Sequence, residues 1–271
     1  MNVIAMNAVS FTVRSHIGRV RTNNEDNFYC NGVFLTPKTR DAPSFLVGKA
    51  QSPCVFAVCD GMGGEADGEF ASLMAVETLS EYAEAIKTAA SSDSIDKAVQ
   101  NFVSDANERL CKAMKACSAR MGTTLALAVI TESSVHAYNI GDSRIYRFQN
   151  GTFSQISEDH TLAAQKIKMR ILTEEEARKD RSRHVLTRYL GVFEEEMILE
   201  ANIITPFKID TKCRLLLCSD GITDMIEDSR IEAVLRDMPD TESAANELIE
   251  SALQNGGKDN ATCIIIDCGG A

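Results

Sequence analysis

Carboxylate side chains in this sequence collect at the ends of apolar segments. Four short polar motifs lie there: NNED (23–26), CDGMGG (59–64), SDG (219–221) and KDN (258–260). A fifth motif, GDSR (141–144), separates two segments that alternate like strands. If these segment ends converge in the fold, several carboxylates come within a few ångströms of one another. Two such charges ~4 Å apart repel by about 4 kcal/mol at an effective dielectric constant of about 20, so the cluster requires cations or protonated members.

The residue types in these motifs favour a hard metal ion. Carboxylate and carbonyl oxygens without histidine or cysteine are the ligands of Mg²⁺ or Mn²⁺. The chain has four histidines and none lies in a motif, which argues against zinc. Taken alone, each of Asp60, Asp142 and Asp220 could be only a turn former, because aspartate is common in turns. Their order along the chain and the strands beside them favour a shared site.

Short apolar runs predict the strands that carry these motifs. Residues 123–148 predict an antiparallel meander with short turns, and an apolar, aromatic segment occupies 27–35. A polar connection is expected around Pro37, Pro43 and Gly48. Three further runs predict buried strands: CVFAVC (54–59), CRLLLC (213–218) and ATCIIIDC (261–268).

Helical periodicity predicts two pairs of helices between the strands. The first helix covers about 70–86 with Phe70 on its apolar face, and Ser94 is the expected N-cap of the second. In the last pair, Thr241 is the expected N-cap and Gly256-Gly257 the stop signal. Helix pairs flanked by hairpin strands are typical of the α+β class. The apolar stripe of the second helix recurs every three or four residues: Ile95, Ala98, Val99, Phe102, Val103, Ala106, Leu110, Met114 and Cys117.

The overall composition excludes several classes of protein. Of 271 residues, 44% are hydrophobic and 25% are charged, as in soluble globular domains. Lys and Arg number 28 against 39 Asp and Glu, and the resulting net charge of −11 argues against nucleic acid or a membrane as partner. Nine cysteines without a C-x-x-C pair indicate free thiols in a reducing cytosol. The N-terminus lacks a signal-peptide pattern and no run reaches the ~20 apolar residues of a membrane span, so a cytoplasmic location is expected.

The motifs, taken in order, resemble those of the metal-dependent protein serine/threonine phosphatases of the PPM (type 2C) family, in its bacterial branch. The resemblance covers nearly the whole chain, and its specificity comes from the order and spacing of many short pieces. The segments that carry it are GRVRTNNED (18–26), VCDGMGGEADGEFAS (58–72), MGTTLALAVI (121–130), YNIGDSRIYRF (138–148), SEDHTL (157–162), LTRYLG (186–191), LLLCSDGITDMI (215–226) and GGKDNATCIII (256–266).

The resemblance implies a single domain over residues 1–271 with an α+β fold. The family fold is a four-layer αββα sandwich of two antiparallel sheets flanked by helix pairs, with the metals at one end. Residues 157–197 are charged and poor in strand pattern, and they would form a flap subdomain beside the metals. Within this segment, Thr173 and Glu176 predict a capping box for a short helix.

The resemblance also assigns roles to single residues. Asp60 would bridge two Mg²⁺ or Mn²⁺ ions, and Asp142 would hold a weaker third ion together with Asp220. Arg21 would bind the substrate phosphate and, with Asp60, counts as catalytic. Asp26 and Asn260 would orient the ligands. The full ligand set it implies is Glu25, Asp60, the carbonyl of Gly61, Asp142, Asp220 and Asp259.

The reaction implied is hydrolysis of phosphoserine or phosphothreonine by a water activated between two ions. Met62 departs from many eukaryotic members, which carry a histidine proposed as a general acid there, whereas bacterial members share this methionine. By analogy the partners would be phosphoproteins made by a bacterial Ser/Thr kinase, with the phosphatase a monomer. Two alternatives stay open: an inert phosphopeptide-binding pseudophosphatase, and a phosphohydrolase acting on small phosphate esters.

Overall fold

Two antiparallel sheets form the centre of the molecule. The computed structural model describes residues 8–40, 42–63 and 67–269. In the described residues the strands are β1 (Ala8–His16), β2 (Asp26–Cys30), β3 (Ser44–Gln51), β4 (Cys54–Gly63), β5 (Met121–Thr123), β6 (Leu125–Ile130), β7 (Ser134–Ile140), β8 (Arg144–Gln149), β9 (Thr152–Gln155), β10 (Asn202–Lys208), β11 (Cys213–Cys218) and β12 (Ala261–Cys268). The first sheet has the strand order β3-β1-β12-β11-β8-β9, and the second has β10-β7-β6-β4-β2 with β5 paired to β4.

Helices cover the outer faces of both sheets. The predicted four-layer αββα arrangement is confirmed, because α1 and α2 pack on the second sheet while α6 and α7 pack on the first. The α-helices of the described residues are α1 (Asp67–Lys87), α2 (Ser92–Cys117), α3 (Leu162–Lys168), α4 (Glu174–Ala177), α5 (Asp220–Thr223), α6 (Asp228–Asp237) and α7 (Thr241–Gln254).

The core has three apolar layers, one between the sheets and one under each helix pair, because the central strands are buried on both faces. In β12, Ile264 and Ile266 point into the space between the sheets, whereas Ile265 packs under α6 and α7. A strand with two buried faces must be apolar at successive positions. The uninterrupted run of isoleucines therefore predicts its central place, between β1 and β11.

The predicted N-caps of α2 and α7 are both wrong by a short distance. Ser91 caps α2, and Ser94 completes a capping box by accepting the Ser91 backbone N–H at 2.8 Å. Asp240 caps α7 by accepting the Ser243 N–H at 2.7 Å. The Thr241 hydroxyl instead lies 2.9 Å from that of Thr12 on β1, so it joins the helix to the sheet.

The first helix and one connection also differ from expectation. α1 begins at Asp67, and Phe70 is 44% exposed because it lies off the buried face of the helix, which includes Ala71, Ala75 and Leu79. The expected polar connection contains β3, an edge strand paired along β1. Gly48 permits this pairing, since a Cβ there would lie 2.4 Å from the ring of Phe11. Strands β9 and β10 are likewise additions that the apolar pattern does not predict.

Residues 157–197 lie between β9 and β10. They contain α3, α4 and a 3₁₀ turn over Arg181–His184. The predicted capping box is confirmed, with the Thr173 hydroxyl accepting the Glu176 N–H at 3.2 Å. Backbone bridges from Thr161 to Leu186 and from Thr123 to Leu190 tie the segment to itself and to β5.

The cysteines are free thiols, as predicted, and seven of the nine are buried. Cys117, predicted on the apolar stripe of α2, is exposed. None of the helices in the described residues has the length and apolarity that crossing a bilayer demands. Residues 1–7, which the signal-peptide expectation partly concerns, lie outside the described residues. So does Gly64, the last residue of the CDGMGG motif.

Candidate active site

The acidic strand ends meet in one cleft of about 430 Å³ at an end of the sandwich. Every residue predicted to bind metal or phosphate lines it: Arg21, Glu25, Asp60, Gly61, Asp142, Asp220 and Asp259. Asp26 and Asn260 lie behind this lining. The structure therefore brings together residues that are up to 238 positions apart in the chain. The cleft also contains Met62, Thr124, His184 and Leu186.

Asp60 is held by backbone contacts at the end of β4. Its N–H donates to the Thr124 hydroxyl at 2.9 Å, and its carbonyl accepts from the Thr124 N–H at 2.9 Å. The Thr123 hydroxyl also donates to that carbonyl at 2.9 Å. Because the backbone is fixed on both sides, the position of the Asp60 carboxylate varies only through its own side-chain torsions.

Gly61 permits a close approach of three segments. Its N–H donates to the Glu25 carbonyl at 3.1 Å. A Cβ at Gly61 would lie 2.0 Å from the carbonyl oxygen of Gly68, which is a backbone atom and cannot move aside cheaply. Any larger residue would therefore push the first turn of α1 away from the loop that carries Glu25.

Asn260 fixes the loop of Glu25 to the start of β12. Its side-chain oxygen accepts the Glu25 N–H at 2.8 Å, and its amide donates to the carbonyls of Ile17 and Asn23 at 2.9 Å each. The side chain thus uses both its donor and its acceptor atoms on backbone groups. This is the geometry expected of a residue that orients the ligands.

Asp26 is almost fully buried beneath the cleft. Its Oδ2 accepts the Ser219 hydroxyl at 2.7 Å, which joins the first motif to the third, and its Oδ1 has no hydrogen-bond partner. Burial is the largest cause that raises the pKa of Asp26 to about 7; the charges of Asp220 and Asp259 contribute to this increase, and the hydrogen bond from Ser219 opposes it. A buried carboxylate oxygen without a partner is costly unless a proton or a cation serves it.

The neighbouring carboxylates act on one another in the same direction. Burial raises the pKa of Asp60 well above its usual value, and Asp26, Asp220, Asp142 and Asp259 add to the shift. Burial likewise raises the pKa of Asp142, followed by the charge of Asp220. Each group would hold a proton less readily if a cation lay among them, because a cation replaces this repulsion with attraction.

These features fit Mg²⁺ or Mn²⁺. The donors are carboxylate and carbonyl oxygens, the set that hard divalent cations prefer. Mutual repulsion and the unpartnered Asp26 oxygen are two independent signs that positive charge is expected in the cleft.

Arg21 is paired with an expected ligand. Its Nη2 lies 2.7 Å from Oδ2 of Asp259, and the hydrogen bond to Asp259 is the largest cause that raises the pKa of Arg21. The side chain is 45% exposed and faces the cleft opening. A guanidinium has five N–H donors, so Arg21 has donors left for an incoming phosphate.

The GDSR turn is supported from below by His160. The His160 N–H donates to the Gly141 carbonyl at 2.9 Å, and its Nδ1 accepts the Gly141 N–H at 3.1 Å. Burial lowers the pKa of His160 to about 4, so the ring is neutral near pH 7 and its Nδ1 is free to accept. Gly141 has φ +92°, a conformation that glycine adopts without strain. Asp142 is thereby presented to the cleft.

His184 is the residue of the cleft that sequence reasoning missed. Its Nδ1 lies 3.9 Å from Asp220 and 3.6 Å from Asp224, and Arg183 pairs with Asp224 at 3.0 Å. The Asp220 carboxylate is the largest cause that raises the pKa of His184, and the charge of Asp224 adds to it. His184 has no pattern around it that marks a ligand. Only the folding of segment 157–197 onto the strand ends brings it near Asp220.

An αββα sandwich with a carboxylate-lined cleft is the arrangement expected of a metal-dependent phosphohydrolase. Residues 38–255 match the family model described as Protein phosphatase 2C. The chain belongs to the protein phosphatase 2C family.

The chain aligns with known serine/threonine phosphatases along almost its full length. The Serine/threonine phosphatase stp of Listeria innocua is 32% identical over 256 residues, which cover 94% of each chain. The structure of Stp1 from Staphylococcus aureus matches with a TM-score of 0.81 and 27% identity, over 100% of this chain and 98% of that one. The catalytic domain of PstP, solved in complex with two manganese ions, matches with a TM-score of 0.77 and 27% identity, over 97% of this chain and 100% of that one.

The chain is a metal-dependent protein serine/threonine phosphatase, a hydrolase of phosphoric monoesters. Its cofactors are Mg²⁺ or Mn²⁺.

Proposed function

We propose that the cleft is the catalytic centre and that five of its residues hold two ions. Glu25, Asp60, the Gly61 carbonyl, Asp220 and Asp259 would be the ligands, with Asp60 between the ions. Asp142 and Asp220 would share a weaker third ion. The convergence of all these groups from separate segments on one cleft is the observation that carries the proposal.

The chain's own residues would contribute binding and orientation. When bound, a pair of such ions supplies a water nucleophile of lowered pKa and neutralises charge as the phosphoester breaks. Arg21 would bind the phosphate through its planar fork while Asp259 holds it in place. Met62 lines the cleft but cannot donate a proton, so it takes no part in protonating the leaving group.

The substrates would be phosphoserine and phosphothreonine proteins, made by a bacterial Ser/Thr kinase. The relatives described as serine/threonine phosphatases support this class. A net charge of −11 repels an anionic substrate at long range, so the ions and Arg21 must attract the phosphate locally. Among the described residues that line the cleft, Arg21 is the only arginine or lysine.

Three further features belong to the same proposal. The chain would act as one domain and as a monomer, with residues 157–197 forming a flap beside the cleft. Support for the flap comes from His184, which reaches Asp220 from this segment. A cytoplasmic location is supported by nine free cysteines, seven of them buried, since oxidising compartments favour disulfides. Light scattering of the purified chain would test the monomer.

The decisive experiment measures Mn²⁺-dependent hydrolysis by the whole chain. We expect turnover of a phosphothreonine peptide and of p-nitrophenyl phosphate, and slower turnover of nucleotides. Asp220→Asn is expected to lower kcat/KM at least ~100-fold, since even changes behind the ligands cost 10–100-fold. Asp237→Asn is the matched control, because Asp237 is exposed and pairs only with Arg236 in the described contacts.

The alternatives have different signatures. Equal turnover by wild type and Asp220→Asn would contradict the site assignment. Binding of the phosphopeptide without any turnover would indicate an inert phosphopeptide-binding protein. Nucleotides turned over faster than the peptide would indicate a small-molecule phosphohydrolase.

A further inference from the structure

A buried arginine lies next to the cleft without touching it. Arg40 belongs to the connection between β2 and β3, and only 5% of its side chain is exposed. Its Nη1 donates to Oε2 of Glu69 at 3.0 Å, in the first turn of α1. Its backbone carbonyl accepts from the Asn24 amide at 3.1 Å. Arginine is rarely buried unless it is paired, so this contact has a structural or functional reason.

The pairing continues from Glu69 to an expected metal ligand. Oε1 of Glu69 accepts from the Asn23 amide nitrogen at 2.9 Å. The same nitrogen lies 3.4 Å from Oε1 of Glu25. An amide nitrogen carries two hydrogens, so it can serve both carboxylates at once. Arg40, Glu69, Asn23 and Glu25 therefore form one hydrogen-bonded series that ends in the cleft.

The first turn of α1 also packs directly against Glu25. A Cβ at Gly68 would lie 2.9 Å from the carboxylate carbon of Glu25. Any displacement of this turn would either crowd the Glu25 carboxylate or leave it unsupported. Arg40 fixes the turn through Glu69, so it limits the positions that Glu25 can adopt by packing as well as by hydrogen bonding.

We propose that Arg40 is a positioning residue for the metal ion that Glu25 would bind. It orients the Glu25 carboxylate through Glu69 and Asn23, and so raises the affinity of the ion that Glu25 binds. This inference rests on the proposed role of Glu25 as a ligand. It assigns a function to the connection between β2 and β3, which the motifs of the cleft do not include.

The expected effect is on metal affinity more than on the saturated rate. Partners behind a ligand typically contribute 10–100-fold to affinity. In Arg40→Gln we expect one of the Mn²⁺ ions to bind about 10–100-fold more weakly, and the other to be unchanged. Saturating Mn²⁺ should restore kcat, since the ligands themselves remain. The Mn²⁺ affinity of Arg40→Lys should lie between those of the wild type and Arg40→Gln, because lysine keeps the charge but loses the planar fork.

The test is calorimetric titration of the whole chain with Mn²⁺, alongside kcat measured against Mn²⁺ concentration. Arg109→Gln is the matched control: Arg109 is also ion-paired, with Glu81 and Asp105, but on the outer helices. It should leave both affinities unchanged. Thermal unfolding of each variant establishes that it is folded.

Asn23→Ala is a second variant that leaves the Arg40–Glu69 pair intact. It should weaken the same ion if the series acts as proposed, even where Arg40→Gln does not fold. Unchanged Mn²⁺ affinity in a folded Arg40→Gln, or in Asn23→Ala, would overturn the inference, and so would equal weakening of both ions. Glu25→Gln separates the two levels: if it leaves Mn²⁺ binding intact, the ligand assignment itself fails. If it weakens binding while Arg40→Gln does not, only the positioning role fails.

Discussion

At the scale of single residues, the cleft concentrates like charges that the protein alone does not neutralise. Asp26 shows this most clearly, because it is buried, hydrogen-bonded through one oxygen only, and surrounded by acidic neighbours. Its pKa is raised to about 7 by burial and by these charges, so a proton on Asp26 and cations in the cleft would compete to offset the same negative charge. The proposed metal site is therefore expected to lower the stability of the fold when no ions are bound.

This competition predicts how the metal-free protein responds to pH. The folded state keeps the Asp26 proton up to about pH 7, whereas the unfolded chain releases it near the ordinary aspartate pKa of 3.8. Between these values the folded state binds more protons, so its free energy of unfolding falls as pH rises. Urea unfolding in a chelating buffer should show this slope, and Asp26→Asn should reduce it.

Saturating Mn²⁺ is the control, since bound ions replace the protons and flatten the dependence. Two results between pH 4.5 and pH 7 would contradict a raised pKa of Asp26. One is a metal-free wild type whose free energy of unfolding does not fall as pH rises, and the other is a wild type and an Asp26→Asn variant with the same pH dependence.

At the scale of elements, helix starts differ in how much of the fold depends on them. Ser91 caps α2, whose buried face includes Phe102 and Leu110 in the core. Thr173 caps α4, a four-residue helix with one buried side chain. Both caps use the same reciprocal hydrogen bonds, but only the first begins an element on which the whole core relies.

The two caps therefore give different outcomes when they are removed. Ser91→Ala should lower the global free energy of unfolding by about 1 kcal/mol, the usual cost of losing a cap. Thr173→Ala should leave global stability nearly unchanged and raise hydrogen exchange only within segment 157–197, because short exposed elements open locally. Urea unfolding and amide exchange on both variants provide the check. Equal global losses would show that α4 is part of the cooperative core.

Local sequence patterns predicted the elements whose residue types follow from a single environment, such as burial on both faces of a strand. The run of isoleucines in β12 gives its burial on both faces, and the acidic motifs give the residues that meet in the cleft. Residues whose roles depend on partners far away in the chain could not be predicted from these patterns. Thr241 has a hydroxyl suited to capping but uses it on Thr12, and β3 is half exposed because it is an edge strand. His184 reaches Asp220 only through the fold of segment 157–197.

At the scale of the whole molecule, two electrostatic effects oppose each other. The net charge of −11 repels an anionic substrate, whereas Arg21 and cations bound in the cleft would attract its phosphate. The overall field repels an acidic phosphopeptide only out to about a Debye length, which is about 10 Å at 0.1 M salt, because salt screens it at larger distances. Short-range attraction by Arg21 and the ions operates only after encounter. Association should therefore depend on the charge of the peptide outside its phosphate.

Ionic strength separates these two effects. Raising salt from about 20 to about 200 mM should increase kcat/KM for an acidic phosphopeptide, because the repulsion is screened, and decrease it for a basic one. The same phosphorylated residue in both peptides keeps the chemistry constant. Identical salt responses for the two peptides would show that the overall field has no part in association.

The place of β12 has a consequence for how the protein is made in a cell. This last strand pairs with β1 on one side and β11 on the other, and Asp259 and Asn260 immediately precede it. A nascent chain that has reached β11 but not β12 thus has β1 and β11 without their shared partner, and unpaired strand edges favour aggregation. It also lacks a predicted ligand. Until β12 has been synthesised, we therefore expect the chain to be both prone to aggregation and inactive.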